Sequence, residues 1–78
     1  MTYTITAWKD GSPKGEVDVS TKREAAKIAK EMMAGKRGYE CDSVDVCEYD
    51  EHDYLQTKTC YTLWGNAWNK SVNEIGEW

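Results

Sequence analysis

The residues best equipped for chemistry in this chain are carboxylates, and they are bunched. Between Gly38 and Tyr54 stand Glu40, Asp42, Asp45, Glu48, Asp50, Glu51 and Asp53, with no Lys or Arg among them. Such a run raises a local negative potential of several kT at low ionic strength. Carboxylates on a strand edge and turn can discourage aggregation, or pair with a basic element elsewhere. The sharper use is docking on a Lys/Arg-rich surface, including imitation of nucleic-acid phosphates. Exposed ion pairs contribute little individually, so leaving these charges for a partner is expected to cost the fold little. Tyr49 and Tyr54 lie at the end of the run, and Trp8 is expected on the exposed side of the first strand. The candidate partner-binding set is therefore the seven carboxylates with these three aromatics as anchors.

Other chemistries find less support. Asp50-Glu51-His52-Asp53 offers oxygen and imidazole ligands, but lacks the alternating ligands and central glycine of a calcium loop. Cys41, Cys47 and Cys60 with His52 have none of the tight paired spacing of structural zinc sites. His52 is the one histidine, and among carboxylates it suits an ion pair better than general-base work. No base adjoins a cysteine, and there is no nucleophile elbow, P-loop or dinucleotide-binding glycine pattern. No catalytic residue, metal ligand or cofactor is assigned, and the chain reads as non-enzymatic.

A basic block precedes the acidic one. Lys22, Arg23, Lys27, Lys30, Lys36 and Arg37 fall in a short span against Glu24 and Glu31. The solvated face of an amphipathic helix accounts for it, with cations favoured near the helix C-terminus. The alternative is an anion-binding face, but no aromatics interleave with these cations to stack bases.

The elements that must position these groups follow from periodicity. Residues 2–8 alternate, with Tyr3, Ile5 and Ala7 opposite Thr4, Thr6 and Trp8, which predicts a strand. Asp10-Gly11, Pro13 and Gly15 predict a long loop before a second strand at residues 16–19. Thr21-Lys22-Arg23-Glu24 reads as a capping box, and Ala25, Ile28, Ala29, Met32 and Met33 form a helical stripe ended by Gly35. Residues 43–49 alternate again, with Val44 and Val46 opposite Asp45, Cys47 and Tyr49. A turn at Asp50–Asp53 leads to a strand over 54–64. Gly65-Asn66 then predicts a hairpin into a fifth strand reaching about Val72. Trp64, Trp68, Val72 and Ile75 also lie at helical spacing, so a C-terminal helix competes for the tail. The predicted fold class is α+β: an antiparallel sheet of four to five strands with one helix on one face, in the order ββαβββ.

Totals bound the function. Seventy-eight residues make one domain, 1–78, with room for one core and little for a deep active site. The net charge of −4 disfavours direct nucleic-acid binding by the whole molecule and favours a basic partner surface. Four Trp and five Tyr, with no Phe, supply the aromatic volume, and most are expected in or at the edge of the core. Three cysteines without a CxxC pair fit reduced thiols. Met1-Thr2-Tyr3-Thr4 lacks signal-peptide character and no apolar run reaches transmembrane length, so a cytoplasmic, membrane-free protein is expected. A monomer and a sheet-edge homodimer both remain compatible.

In organisation the chain resembles the small acidic proteins, anti-CRISPR proteins among them, with which phages and mobile elements inhibit host defence. The resemblance rests on the short length, the lone helix opening at Thr21-Lys22-Arg23-Glu24, the strands after Cys41 and the acidic run from Glu40 to Asp53. It implies an inhibitor, acting in the host cytoplasm, that docks on the basic surface of a nucleic-acid-binding complex. A nucleic-acid-associated protein using the basic helix, or a homodimeric accessory protein, are the alternatives.

Overall fold

Alternation in the first segment produces β1 (Thr2–Lys9), with Tyr3, Ile5 and Ala7 buried on one side. It heads a computed structural model that describes residues 1–74; Ile75 to Trp78 lie outside the described residues. The chain reverses at Asp10-Gly11, both with positive φ (52° and 80°), as a two-residue hairpin turn requires. The second strand, β2 (Ser12–Val19), therefore begins earlier than the Pro13 and Gly15 signals predict, and the long loop is a tight turn. Pro13 is tolerated because β2 lies at the sheet edge, and a register shift opposite Ala7/Trp8 accommodates it.

The helix α1 (Lys22–Met33) opens as predicted. The Thr21 hydroxyl accepts from the Glu24 N–H at 3.2 Å and donates to the Glu24 carboxylate at 3.0 Å. It closes with Lys36 N–H on the Glu31 carbonyl (2.9 Å) and Gly35 N–H on the Met32 carbonyl (3.2 Å), with Gly35 at φ 72°. That paired closure satisfies two orphan carbonyls and needs a residue free to go left-handed. A twelve-residue helix is marginal alone, so its buried stripe of Ala25, Ala29 and Met32 holds it to the sheet. The two alanines let the helix approach closely.

Three further strands complete the sheet: β3 (Ser43–Tyr49), β4 (Leu55–Trp64) and β5 (Ala67–Glu74). All neighbours pair antiparallel in the order β2-β1-β3-β4-β5. The fold is the predicted α+β arrangement in ββαβββ order. The strand reading of the tail is correct through Glu74, whereas Ile75, on which the helical alternative also drew, lies outside the described residues.

Register sorts the side chains onto two faces. Toward the helix point Tyr3, Ile5 and Ala7, Val17 and Val19, and Val44 and Val46. Ile5, Met32 and Val44 are fully buried, each worth about 1.5–3 kcal/mol of transfer free energy. The helix packs on β1, β2 and β3 alone, so the helix-side surface of β4 and β5 is left open. No helix among the described residues is long and apolar enough to cross a membrane.

Candidate functional site

Strand alternation divides the acidic run instead of presenting it as one surface. Asp45 and Tyr49 point to the face away from the helix, and Glu48 points to the helix side opposite Tyr3 and Thr57. Glu40, Glu51 and Asp53 are exposed on connecting segments. A single continuous acidic face from Glu40 to Asp53 does not form, because neighbours in a strand face opposite ways.

Two of the carboxylates are committed to the fold. Asp42 receives the Asp10 N–H on its side chain at 3.2 Å. Its own N–H donates to the Trp8 carbonyl and its carbonyl accepts from Leu63, both at 2.9 Å, so it ties the β1–β2 turn to the end of β4. Asp50 accepts the backbone N–H groups of His52 (2.8 Å) and Tyr54 (3.0 Å), and the Gln56 amide at 3.0 Å. The Tyr54 N–H, seconded by that of His52, holds the Asp50 carboxyl below the usual aspartate range. These bonds close the turn in which Asp53 takes a positive φ of 62°. The expectation that the whole run is spare charge is thus corrected at Asp42 and Asp50.

Trp8 is corrected as well. It sits on the predicted side of β1 but is half-buried, beside Pro13 and Ser43, and its indole N–H is enclosed without a hydrogen-bond partner. Tyr54 is 68% exposed, and Trp64, beside the Gly65-Asn66 turn, is 72% exposed. Tyr49 is half-buried opposite Thr2, and burial followed by the adjoining Cys47 raises its phenol pKa.

The face away from the helix gathers a different acidic set. Across the strands runs the row Glu16–Thr6–Asp45–Cys60, and beside it Asp18–Thr4–Cys47–Lys58. Thr2, Thr4 and Thr6 form the floor of an open trough of about 430 Å³, with Glu16, Asp18 and Asp53 on its walls. Backbone positions two residues apart on a strand lie about 6.7 Å apart, and those on the two strands flanking β1 about 9.5 Å apart. Asp18 accepts the Thr4 hydroxyl at 2.8 Å. Sequence reading missed Glu16 and Asp18, although their alternation with Val17 and Val19 placed them opposite the core; the position of β1 between β2 and β3 supplies the rest.

Cations do not neutralise this face. The ion pairs among the described residues are Arg37–Glu31 at 3.1 Å and, when the imidazole carries a proton, His52–Glu51 at 3.8 Å, and neither joins the basic helix to the acidic groups. Lys22, Arg23, Lys27 and Lys30 are exposed on the opposite side of the molecule. The thiols of Cys41, Cys47 and Cys60 are free, and burial raises the pKa of each. For Cys60, Asp45 adds to that rise. Little thiolate exists at neutral pH under these conditions. No cluster of three or more metal-ligating side chains occurs among the described residues.

A second concavity, about 350 Å³, lies where the helix stops short of β4 and β5. Val46, Tyr61 and Val72 line it, with Lys22, Lys70 and Glu48 at its rim. Tyr3 also borders it; burial, then the neighbouring Glu48 carboxylate, raises its phenol pKa. No protein-family model, no curated protein and no solved structure matches the chain.

Proposed function

We propose that this protein is a non-enzymatic binding module that docks the uncovered face of its sheet on a basic protein surface. One observation carries the reading: Glu16, Asp18, Asp45 and Asp53 share a polar face whose cross-strand rows bring in Lys58 as a cation, and none of the four is in an ion pair among the described residues. Threonines hold the floor between them, so the carboxylates stand on rigid backbone and need little ordering on binding. Aligned negative charge steers a cationic partner and fixes its register. The narrower form is an inhibitor that occupies the phosphate-binding surface of a nucleic-acid-handling complex, in line with the anti-defence proteins it resembles in layout. Raised thiol pKa values count against nucleophilic catalysis.

The test is an NMR titration of the full chain with an oligolysine peptide, followed by capture from the native host with wild type and with a Glu16→Lys/Asp18→Lys/Asp45→Lys variant. Shift changes centred on Thr2, Thr4, Thr6 and their acidic neighbours are expected, together with loss of the captured partner in the variant. Changes centred on the Asp50–Asp53 turn alone, or a partner retained by the variant, remove the reading. The exposed Lys22, Arg23, Lys27 and Lys30 support a second reading, nucleic-acid association through the helix. It requires a low-salt gel shift that is lost in Lys27→Ala/Lys30→Ala.

A further inference from the structure

The two edges of the sheet are built differently. The β2 edge has Pro13, which cannot donate, a register shift at its start, and Glu16 and Asp18 along its length. Those are devices that keep a foreign strand from adding. The β5 edge has no proline and no register shift: eight residues pair with β4 in unbroken register, and its charges, Lys70 and Glu74, are of opposite sign. It is also uncovered by the helix, and Val72 there is 49% exposed.

The hairpin sets which backbone groups of β5 are spare. A two-residue turn at Gly65-Asn66 makes Trp64 and Ala67 the first hydrogen-bonded pair. Alternation then directs the N–H and C=O of Ala67, Asn69, Ser71 and Asn73 to β4, and those of Trp68, Lys70, Val72 and Glu74 outward. We infer that β5 pairs antiparallel with β5 of a second copy of this chain, about a two-fold axis at Val72.

The sequence of the strand selects the occupant and the register. Centred on Val72, outward-directed residues meet one another: Val72 opposes its own copy, and Lys70 opposes Glu74 of the partner subunit. The exposed valines cover each other, and opposite formal charges stand at directly opposed positions on both sides of the axis. Centring on Lys70 would set two lysines together. The axis stands perpendicular to the sheet, so a continuous ten-strand sheet results. Both helices lie on one side and both acidic troughs on the other. The two β3 strands then run about 24 Å apart, which spaces the troughs for a bivalent basic target. The dimer itself does not depend on the docking function proposed for those troughs.

Sedimentation velocity of the full chain over a concentration series tests this. A reversible dimer is expected. Val72→Pro removes an outward N–H that β4 does not use, and should leave circular dichroism unchanged while abolishing the dimer. Lys70→Glu should weaken the dimer about tenfold, and Lys70→Glu/Glu74→Lys should restore it. A wild-type chain that stays monomeric up to ~1 mM overturns the inference. So does a dimer that survives Val72→Pro, or one indifferent to Lys70→Glu where the proline variant fails to fold.

Discussion

Reversing the charge of the acidic face is the perturbation on which the docking proposal stands or falls. Glu16 and Asp18 are exposed and Asp45 is half-exposed, and all three point away from the core. A partner cation about 5 Å from a carboxylate gains ~0.8 kcal/mol in a water-like dielectric. Lysine in its place turns attraction into repulsion, a swing of ~1.6 kcal/mol per site before screening. Over three sites that is a loss of about 10³-fold in affinity at low salt. At physiological salt, with a Debye length of about 8 Å, roughly half the swing survives and the loss is nearer 10²-fold. The fold should scarcely register the change. Surface substitutions of this kind stay within about 0.5 kcal/mol, or ~2–4 °C in Tm for a domain this size. Calorimetric titration against the captured partner, paired with thermal unfolding, reads both quantities. Binding within about threefold of wild type refutes the electrostatic reasoning, since even one site is worth more than that at low salt. A collapse in Tm refutes the structural part.

Three further outcomes follow from the same geometry. Ile5→Ala empties a fully buried site in the middle of β1 and should cost about 2–5 kcal/mol in denaturant unfolding; a loss under ~1 kcal/mol would mean that the core collapses around the gap. Asp50 has a lowered folded-state pKa, so it contributes stability above the ordinary aspartate value of ~3.9 that is lost as pH falls through the folded value. Asp50→Asn should flatten that acid limb in urea unfolding between pH ~5 and ~2, and an unchanged limb would assign it elsewhere. Asp45→Asn should move the pH profile of Cys60 alkylation downward without returning it to that of a free thiol, because burial is the larger cause of the elevation and the Asp45 bond the smaller; a profile that does not move removes Asp45 from the thiol's environment.

Local chemistry made most of the fold legible. Thr21, Glu24 and Gly35 act only on their nearest backbone, so the helix boundaries could be read from them directly. The same holds for alternation in β1 and β3 and for the Gly65-Asn66 turn. Pro13 misled because its meaning depends on position in the sheet: it breaks a central strand but is harmless at the edge where β2 lies. The candidate site was legible only in part. Adjacency along the chain suggested one acidic surface, whereas Asp45 and Glu48 are three residues apart in a strand and so face opposite ways. Glu16 and Asp18 are far from Asp45 in sequence and reach its face through strand order, which no local pattern encodes. Asp42 and Asp50 looked like free charges because the backbone donors they accept are invisible in a string of residue types.

The helix that stops at β3 also sets the order in which the molecule comes apart. Among the described residues every buried hydrophobic side chain lies in β1, β3, α1 or at Cys41, and none lies in β4 or β5. Those two strands hold each other by backbone pairing while contributing no enclosed side chain of their own. Opening free energy is therefore graded across the sheet, lowest at β5 and highest at β1. Amide protons of β5 exchange through small local openings, and those of β1 only through global unfolding. A partner that adds to the β5 edge or fills the groove beside it acts on the least secured part of the structure. Its binding would be read most sensitively as new exchange protection there, rather than as a shift in the global melting transition.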